Sequence, residues 1–137
     1  MSEQLVEKLQ AVNNSAAFNR WAGLRVVSVA KGDVEIEMPW REDFGQYAGF
    51  LHASLVSGLI DTACGFAAFT VAGAVLASHV SVNFMAPAIG ASFIARGQVT
   101  RAGRRQIFTR ADLFAVNDRG ERKLVASGET LLMRAEA

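Results

Sequence analysis

The acidic residue Asp61 is the first candidate for chemistry because of the sequence around it. Between positions 44 and 95 it is the single Asp or Glu, and the same segment has no Lys or Arg. Its neighbours Ile60 and Ala63 are apolar, so a carboxylate here is expected to be partly desolvated. An unpaired buried carboxylate is costly. The sequence therefore indicates a nucleophile or general base at Asp61, with a helix cap or a salt bridge as the structural alternative.

A second candidate lies upstream, where a glycine-containing loop leads into a helix at His52. Gly45 and Gly49 let the backbone approach a ligand, and Gln46 adds a side-chain amide. The first amides of a helix lack intrahelical acceptors and lie at the positive end of the helix dipole. The pattern predicts an oxyanion site at the Ala53 amide, with an ordinary cap and a packing histidine as the alternative.

The spacing between these two candidates has a structural consequence. Ala53 and Asp61 are eight positions apart in the sequence. On a helix this is about 12 Å at 1.5 Å per residue, so one chain cannot place both groups on a single carbonyl. If both act on one substrate, two chains meet at the site and the protein is at least a dimer.

Basic residues are concentrated towards the C-terminus, where nine of the fourteen lie within the last 42 positions. Arg101, Arg104 and Arg105 cluster in one predicted turn, where guanidinium groups could hold the phosphates of a nucleotide. The alternative is that these arginines simply face water. The sequence has no glycine-rich phosphate loop of the P-loop or Rossmann type.

The elements that must position these residues follow from the apolar periodicity. Helical spacing predicts an N-terminal helical segment within 1–22. Period-two alternation predicts a hairpin over 24–38, and the almost uncharged run 52–72 predicts a helix that is buried on nearly all sides. Four further strands are expected to form an antiparallel meander, at 76–85, 92–100, 106–116 and 123–133.

This order of elements predicts an α+β fold, in which a sheet of roughly six antiparallel strands wraps around one long central hydrophobic helix. The chain has 137 residues, of which 51% are hydrophobic. That length suits one domain over 1–137 with a substantial core.

Composition limits the classes of function. The formal net charge is +1, which disfavours a nucleic-acid binder that relies on a general basic field. The lone Cys64 excludes an intrachain disulfide and a cysteine-built zinc site, and the two histidines lack metal-ligand spacing, so no metal is expected. The first ten residues do not fit a signal peptide, and a cytoplasmic location is expected. Asp61 disfavours a membrane span through the apolar segment.

Several of these positions together form a family pattern, namely Gln46, Gly49, His52, Asp61, the segment Asn83–Gly90 and the turn Arg101–Arg104. From the first hairpin to the C-terminus the chain resembles the hotdog-fold acyl-CoA thioesterases, in their PaaI-like group of the phenylacetate pathway. The resemblance implies homodimers that commonly pair into homotetramers. It also implies two sites per dimer, at the subunit interface.

By the same resemblance, Asp61 matches the catalytic carboxylate of the family and the Ala53 amide polarises the thioester carbonyl. His52 matches the histidine just before that amide. Gln46 stands where many members have an Asn or Gln that assists the attacking water or the thioester. Gly49 is placed with the arginines Arg101, Arg104 and Arg105 among the substrate-binding positions. The family's usual His-Gly-Gly is His52-Ala53-Ser54 here, and alanine keeps the amide.

The expected function is hydrolysis of an acyl-CoA or acyl-carrier thioester, with no metal or redox cofactor. A hotdog enoyl-CoA hydratase or dehydratase is one alternative, with His52 and Asp61 as its catalytic pair. A non-catalytic acyl-CoA-binding module is the other. Aromatic residues that could line a pocket for an aryl or medium-chain acyl group, or belong to an ordinary core, are Trp40, Tyr47, Phe50, Phe66 and Phe69.

Overall fold

The computed structural model describes residues 3–135. Two helices come first, α1 (Glu3–Asn14) and α2 (Ala17–Ala22), followed by a hairpin of β1 (Arg25–Ala30) and β2 (Asp33–Pro39). A 3₁₀ turn at Glu42–Phe44 precedes the long helix α3 (Ala53–Ala72). The remaining strands are β3 (Val75–Phe84), β4 (Ser92–Ala102), β5 (Gln106–Val116) and β6 (Arg122–Arg134).

The strands form one antiparallel sheet in the order β1-β2-β4-β5-β6-β3, and α3 packs against it. This confirms the predicted six-stranded sheet around one long helix. By length and composition α3 could cross a membrane. Within this chain, however, one side of the helix packs against the sheet, as in a core helix. The predicted burial on nearly all sides is wrong, because nine of its 20 residues are buried and the rest are partly or fully exposed. Its buried residues are Leu55, Val56, Leu59, Ile60, Ala63, Cys64, Phe66, Ala67 and Ala68.

The predicted four-strand meander is wrong in one respect. β4, β5 and β6 do form a meander, but β3 pairs with β6 and not with β4. After Phe84 the chain leaves the edge of the sheet and crosses to its middle, where β4 lies between β2 and β5. Just before β4, the Ala91 carbonyl accepts a hydrogen bond from the Trp40 amide at 3.0 Å. Alternation of apolar residues identifies strands, but it carries no information about which strands become neighbours.

Two glycines of the sheet determine how closely α3 approaches it. A Cβ atom at Gly97 of β4 would lie 2.2 Å from the carbonyl oxygen of Ala63. A Cβ atom at Gly128 of β6 would lie 2.9 Å from Cγ2 of Ile60. Both distances are far below ordinary van der Waals contact, so only glycine fits. The contacts fall on either side of Asp61 in the sequence of α3 and hold this part of the helix against the sheet.

β3 forms one edge of the sheet, and its outer side has no partner strand within residues 3–135. Large apolar side chains are exposed along it, including Leu76 at 69% and Phe84 at 55% of their surface. His79 is the one ionisable residue among its ten positions. Long apolar edges are usually covered in native proteins because they invite pairing with another strand. This edge is therefore suited to pair with a second chain.

Candidate active site

The loop that precedes α3 is closed on itself by backbone hydrogen bonds. The Gln46 amide donates to the Phe50 carbonyl at 2.7 Å, and the Gly49 amide donates to the Gln46 carbonyl at 2.9 Å. Gly49 has φ of 90°, a conformation that favours glycine. The Leu51 amide donates to the Ala88 carbonyl at 3.0 Å, which ties the loop to the connection between β3 and β4. The loop thus has a defined shape at the start of the helix.

The side chain of Gln46 is oriented by this loop. Its Oε1 atom accepts a hydrogen bond from the Ala48 amide. One lone pair of Oε1 is therefore used within the loop, and the other lone pair and the Nε2 amide remain for a ligand. In this orientation Nε2 of Gln46 can donate a hydrogen bond to a ligand.

His52 is the N-cap of α3 and caps it with its ring. The Nδ1 atom accepts a hydrogen bond from the Ser54 amide at 3.0 Å, and Ser54 Oγ lies 2.7 Å from the same nitrogen. Accepting from an amide requires a lone pair, so Nδ1 carries no proton. A neutral imidazole in this arrangement has its proton on Nε2. His52 is then also a donor.

The amide of Ala53 supplies a third donor. The amides of Leu55 and Val56 donate to the His52 carbonyl at 2.9 and 3.1 Å, and the Ser54 amide donates to the ring. In the part of the chain that the structure describes, the Ala53 amide has no acceptor. It lies at the positive end of the helix dipole, where a negatively charged oxygen is stabilised.

These donors border a cleft of about 570 Å³ between the start of α3 and the end of β3. Gln46, His52 and Ala53 form its polar part. The other lining residues are mostly apolar, and they are Tyr47, Phe50, Leu51, Val56, Phe84, Met85, Ala86, Pro87, Ala88 and Val125.

Asp61 lies two turns further along α3 and borders a different cleft, of about 400 Å³. Its Oδ1 atom is buried and has no hydrogen-bond partner, and the side chain has no ion pair among residues 3–135. Burial raises the pKa of Asp61 above its ordinary value of 3.8, because desolvation disfavours the charged form. The predicted desolvation is confirmed, and neither a helix cap nor a salt bridge accounts for this residue.

The two clefts lie at opposite ends of the edge strand β3. Phe84 and the following Met85 border the cleft with the three donors. Leu76 and Ala77 border the cleft with Asp61. One protomer therefore holds its donors and its carboxylate in separate clefts, and the unpartnered edge of β3 runs between them.

The arginine turn connects β4 to β5. Arg101, Arg104 and Arg105 are exposed, and none of them has a carboxylate partner among the described residues. Arg134 of β6 stabilises the turn by donating from Nε to the Arg104 carbonyl at 2.9 Å. Since Arg134 pairs with Val75, the turn lies at the end of the sheet that carries the Asp61 cleft.

Comparisons with known proteins identify the family. The family model described as "Thioesterase superfamily" matches residues 48–121. Human acyl-coenzyme A thioesterase 13 is 30% identical over 132 residues, which are 93% of this chain and 92% of that protein. The chain belongs to the thioesterase superfamily.

Solved structures share the fold of this chain. The crystal structure of a thioesterase family protein from Silicibacter pomeroyi is 34% identical, with a TM-score of 0.89, and covers 94% of this chain and 96% of that one. The E. coli PaaI protein of the phenylacetic acid degradation operon is 20% identical, with a TM-score of 0.86 over 98% of this chain and 96% of that one. The predicted hotdog fold is confirmed by these thioesterase neighbours.

The site residues predicted for this thioesterase-superfamily chain fall into three places. Gln46, His52 and Ala53 lie together in the first cleft, and Gly49 shapes the loop beside it without lining it. Asp61 borders the second cleft. The third place is the turn of Arg101, Arg104 and Arg105.

Two contributors were not predicted from the sequence. Ser54 contacts the His52 ring, and a hydroxyl two residues after a candidate capping residue is a signal that could have indicated it. Arg134 holds the arginine turn through the backbone carbonyls of Gly103 and Arg104. Arg134 is the last residue of β6 and is exposed, and no pattern in the sequence distinguishes it from other exposed strand residues.

Proposed function

We propose that this protein hydrolyses acyl-CoA thioesters at two sites formed between the chains of a homodimer, as a member of the PaaI-like group. One observation carries the proposal. Three hydrogen-bond donors gather in one cleft, while the desolvated carboxylate that could act as nucleophile or base borders another. Neither cleft alone has a complete set of groups for thioester hydrolysis, and the exposed edge of β3 offers the means to combine them.

In the proposed reaction the thioester carbonyl lies against the Ala53 amide at the start of α3. This amide stabilises the negative charge that develops on the oxygen. The Nε2 atoms of Gln46 and His52 donate to the thioester or hold the attacking water. Asp61 of the partner either attacks the carbonyl carbon, forming a mixed anhydride that water then hydrolyses, or takes the proton of a water that attacks it, and both routes need the ionised carboxylate. The CoA thiolate leaves and is protonated by solvent.

Antiparallel pairing of two β3 strands supports this arrangement. A pair centred on Val80 would set Phe84 of one chain opposite Leu76 of the other, since the two positions are equally far from the centre. The cleft with the donors would then adjoin the partner's cleft with Asp61. A two-fold axis repeats the junction, so the dimer has two equivalent sites. Two such dimers would make the homotetramer expected from the family.

The substrate would be held at both ends. Phe50, Phe84 and Met85 form apolar walls of the first cleft and suit an aryl or medium-chain acyl group. The guanidinium groups of Arg101 and Arg104 are free to bind the phosphates of CoA. They lie on the side of the Asp61 cleft, so the chain that supplies the carboxylate would also hold the nucleotide.

The orientation of His52 argues against the hydratase or dehydratase alternative. A histidine that acts as a base needs a free lone pair on a ring nitrogen directed at the substrate. The lone pair of Nδ1 is used by the Ser54 amide, and Nε2 carries the proton. In the hydrolytic scheme His52 needs only to donate.

The first experiment is a panel of acyl-CoA thioesters with detection of the free thiol, run beside hydration of an enoyl-CoA by the same preparation. We expect thiol release from at least one aryl- or medium-chain thioester, and no hydration. Tight binding of acyl-CoA in calorimetry, without thiol release from any member of the panel, would favour a non-catalytic binding module. Hydration without thiol release would favour the hydratase.

The second experiment tests whether each site combines two chains. One chain carries Gln46→Ala and the other carries Asp61→Ala, with different affinity tags, and mixed dimers are purified through both tags. Each homodimer should be nearly inactive. In a mixed dimer one site holds both substitutions and the other holds neither, so about half of the wild-type activity should return. No recovery in verified mixed dimers would mean that each site lies within one chain.

A further inference from the structure

The peptide group between His52 and Ala53 supplies the proposed oxyanion donor, and Val56 is bonded to the same peptide group. The Ala53 amide is the donor for the thioester oxygen, whereas the His52 carbonyl accepts from the Val56 amide at 3.1 Å. In a helix the bond from Cα to Cβ tilts towards the N-terminus, so a side chain covers the turn that precedes it. The side chain of Val56 lines the first cleft and is buried. It therefore lies beside the proposed position of the carbonyl.

The inner end of this cleft is closed by buried aliphatic side chains, whereas its outer rim is exposed. Val56, Ala88 and Val125 are buried lining residues, and Met85 at the rim is half exposed. Backbone hydrogen bonds fix the wall between β6 and the chain after β3, since the amides of Met85 and Ala86 donate to the Val125 carbonyl at 2.9 and 3.1 Å. A valine in a helix has one strongly preferred χ1 rotamer, so Val56 has little freedom to turn away. The volume of these side chains therefore sets the space at the inner end.

We infer that Val56 is a specificity-determining residue, which limits the bulk that the acyl group can carry on the carbon next to the carbonyl. The inference rests on the proposed function, in which the thioester oxygen binds the Ala53 amide and the acyl group lies in the first cleft. Val56 belongs to the main hydrophobic core, and a packed core does not yield to added volume without strain. Acyl groups with a CH₂ next to the carbonyl fit beside Val56, whereas groups that branch at this carbon overlap its isopropyl group.

The test compares hexanoyl-CoA with its isomer 2-ethylbutanoyl-CoA, which has the same number of carbons but branches next to the carbonyl. The ratio of kcat/KM for the straight over the branched thioester is measured in the wild type, Val56→Ala and Val56→Ile. Val34→Ala is the matched control, because Val34 of β2 is also buried but does not line the first cleft. The branched thioester is intrinsically less reactive, but this factor is common to all four proteins and cancels when their ratios are compared.

We expect the ratio to fall about tenfold or more in Val56→Ala, because a misfit of one methylene in an apolar pocket changes kcat/KM by about 10- to 200-fold. The ratio should rise in Val56→Ile and stay at the wild-type value in Val34→Ala. A general loss of stability cannot move the ratio in opposite directions. If Val56→Ala does not fold, Val56→Ile decides alone. A wild-type ratio in every folded Val56 variant would overturn the inference.

Calorimetry separates the role of Val56 from the proposed function. In an Asp61→Asn background the two thioesters should bind without turnover, and the preference for hexanoyl-CoA in binding should follow the same order among the variants. A wild type that releases no thiol would refute the proposed function, and the ratio of the two dissociation constants would still decide the role of Val56. If neither thioester binds, the inference is overturned as well.

Discussion

Among residues 3–135 the Asp61 carboxylate has no ion pair, and its buried Oδ1 has no hydrogen-bond partner. The free energy that this burial costs the fold is also what makes the carboxylate reactive. Burial raises its pKa above 3.8. The charged form is therefore less stabilised than in water, and a desolvated carboxylate is a stronger base and nucleophile. The other cleft offers hydrogen-bond donors at Gln46, His52 and Ala53, and no carboxylate is among its described lining residues. Proton acceptor and proton donors are thus separated in space within one chain.

Replacing Asp61 with Asn tests its role directly. The change is isosteric, and we expect thiol release to fall by about 10²- to 10⁴-fold through loss of the base alone. The fold should be retained, which circular dichroism and the elution volume of the assembly would show. A folded Asp61→Asn protein with near-wild-type turnover would remove this residue from the mechanism.

The raised pKa of Asp61 determines whether the free energy of unfolding rises or falls with pH. Because the pKa of Asp61 is raised in the folded state, its contribution to stability is fully present below the ordinary value of 3.8 and is lost as the pH rises through the raised value. Asn has no charge to bury, so the stability advantage of Asp61→Asn over the wild type should grow with pH. Urea unfolding at several pH values measures it. A constant difference would mean that the carboxylate is well solvated.

At the scale of residues, the sequence predicted which positions carry the candidate site residues, but it did not predict how their side chains are oriented. Asp61 was evident because a single charge lies in a long uncharged segment. The direction of the Gln46 side-chain amide depends on a contact with the Ala48 backbone, and the tautomer of His52 depends on the backbone amide of Ser54. Contacts of this kind arise only when the loop closes, so residue types and spacing do not determine them.

At the scale of elements, the placement of Asp61 depends on how α3 lies on the sheet. Gly97 beside the Ala63 carbonyl and Gly128 beside Ile60 allow the helix to lie close to the sheet on either side of Asp61. The elements themselves were predictable from periodicity, including the long helix. The pairing of β3 with β6 was not predictable, because it depends on the path of the chain after Phe84, which periodicity does not specify.

Gly97→Ala should destabilise the fold by about 1–3 kcal/mol, since the added methyl group would overlap the Ala63 carbonyl. Gly65→Ala is the matched control within α3. Its Cβ would meet only Cδ2 of Leu132, at 3.9 Å, and glycine is unfavourable inside a helix, so a gain of about 0.5–1 kcal/mol is expected. Chemical denaturation gives both values. Equal effects of the two substitutions would argue against the tight contact at Gly97.

A separate prediction concerns the turn of Arg101, Arg104 and Arg105. Arg101→Ala and Arg104→Ala should raise KM for CoA thioesters while KM for a short thioester without the nucleotide hardly changes, because that substrate has no phosphates to bind. Steady-state kinetics with the two substrates measures the difference. If both substrates are affected equally, the turn has a structural role.

At the scale of the whole molecule, the proposed site is complete only when the exposed edge of β3 pairs with a second chain. Val80→Lys places a charge at the centre of the proposed strand pair and should give a monomer without thiol release. Val27→Lys is the matched control, because Val27 lies on the opposite edge strand and is 36% exposed, against 39% for Val80. Sedimentation and thiol release measure both variants. A Val80→Lys protein that is monomeric and fully active would contradict the interface site.

The edge of β3 also has a consequence for how the rate depends on the amount of protein. If two β3 strands must pair before any site exists, the isolated chain contributes nothing to turnover. Far below the dissociation constant of the pair, the number of complete sites rises with the square of the chain concentration. Specific activity, which is constant for a monomeric enzyme, should then fall on dilution. The dilution curve of the rate would report the affinity of one β3 strand for another.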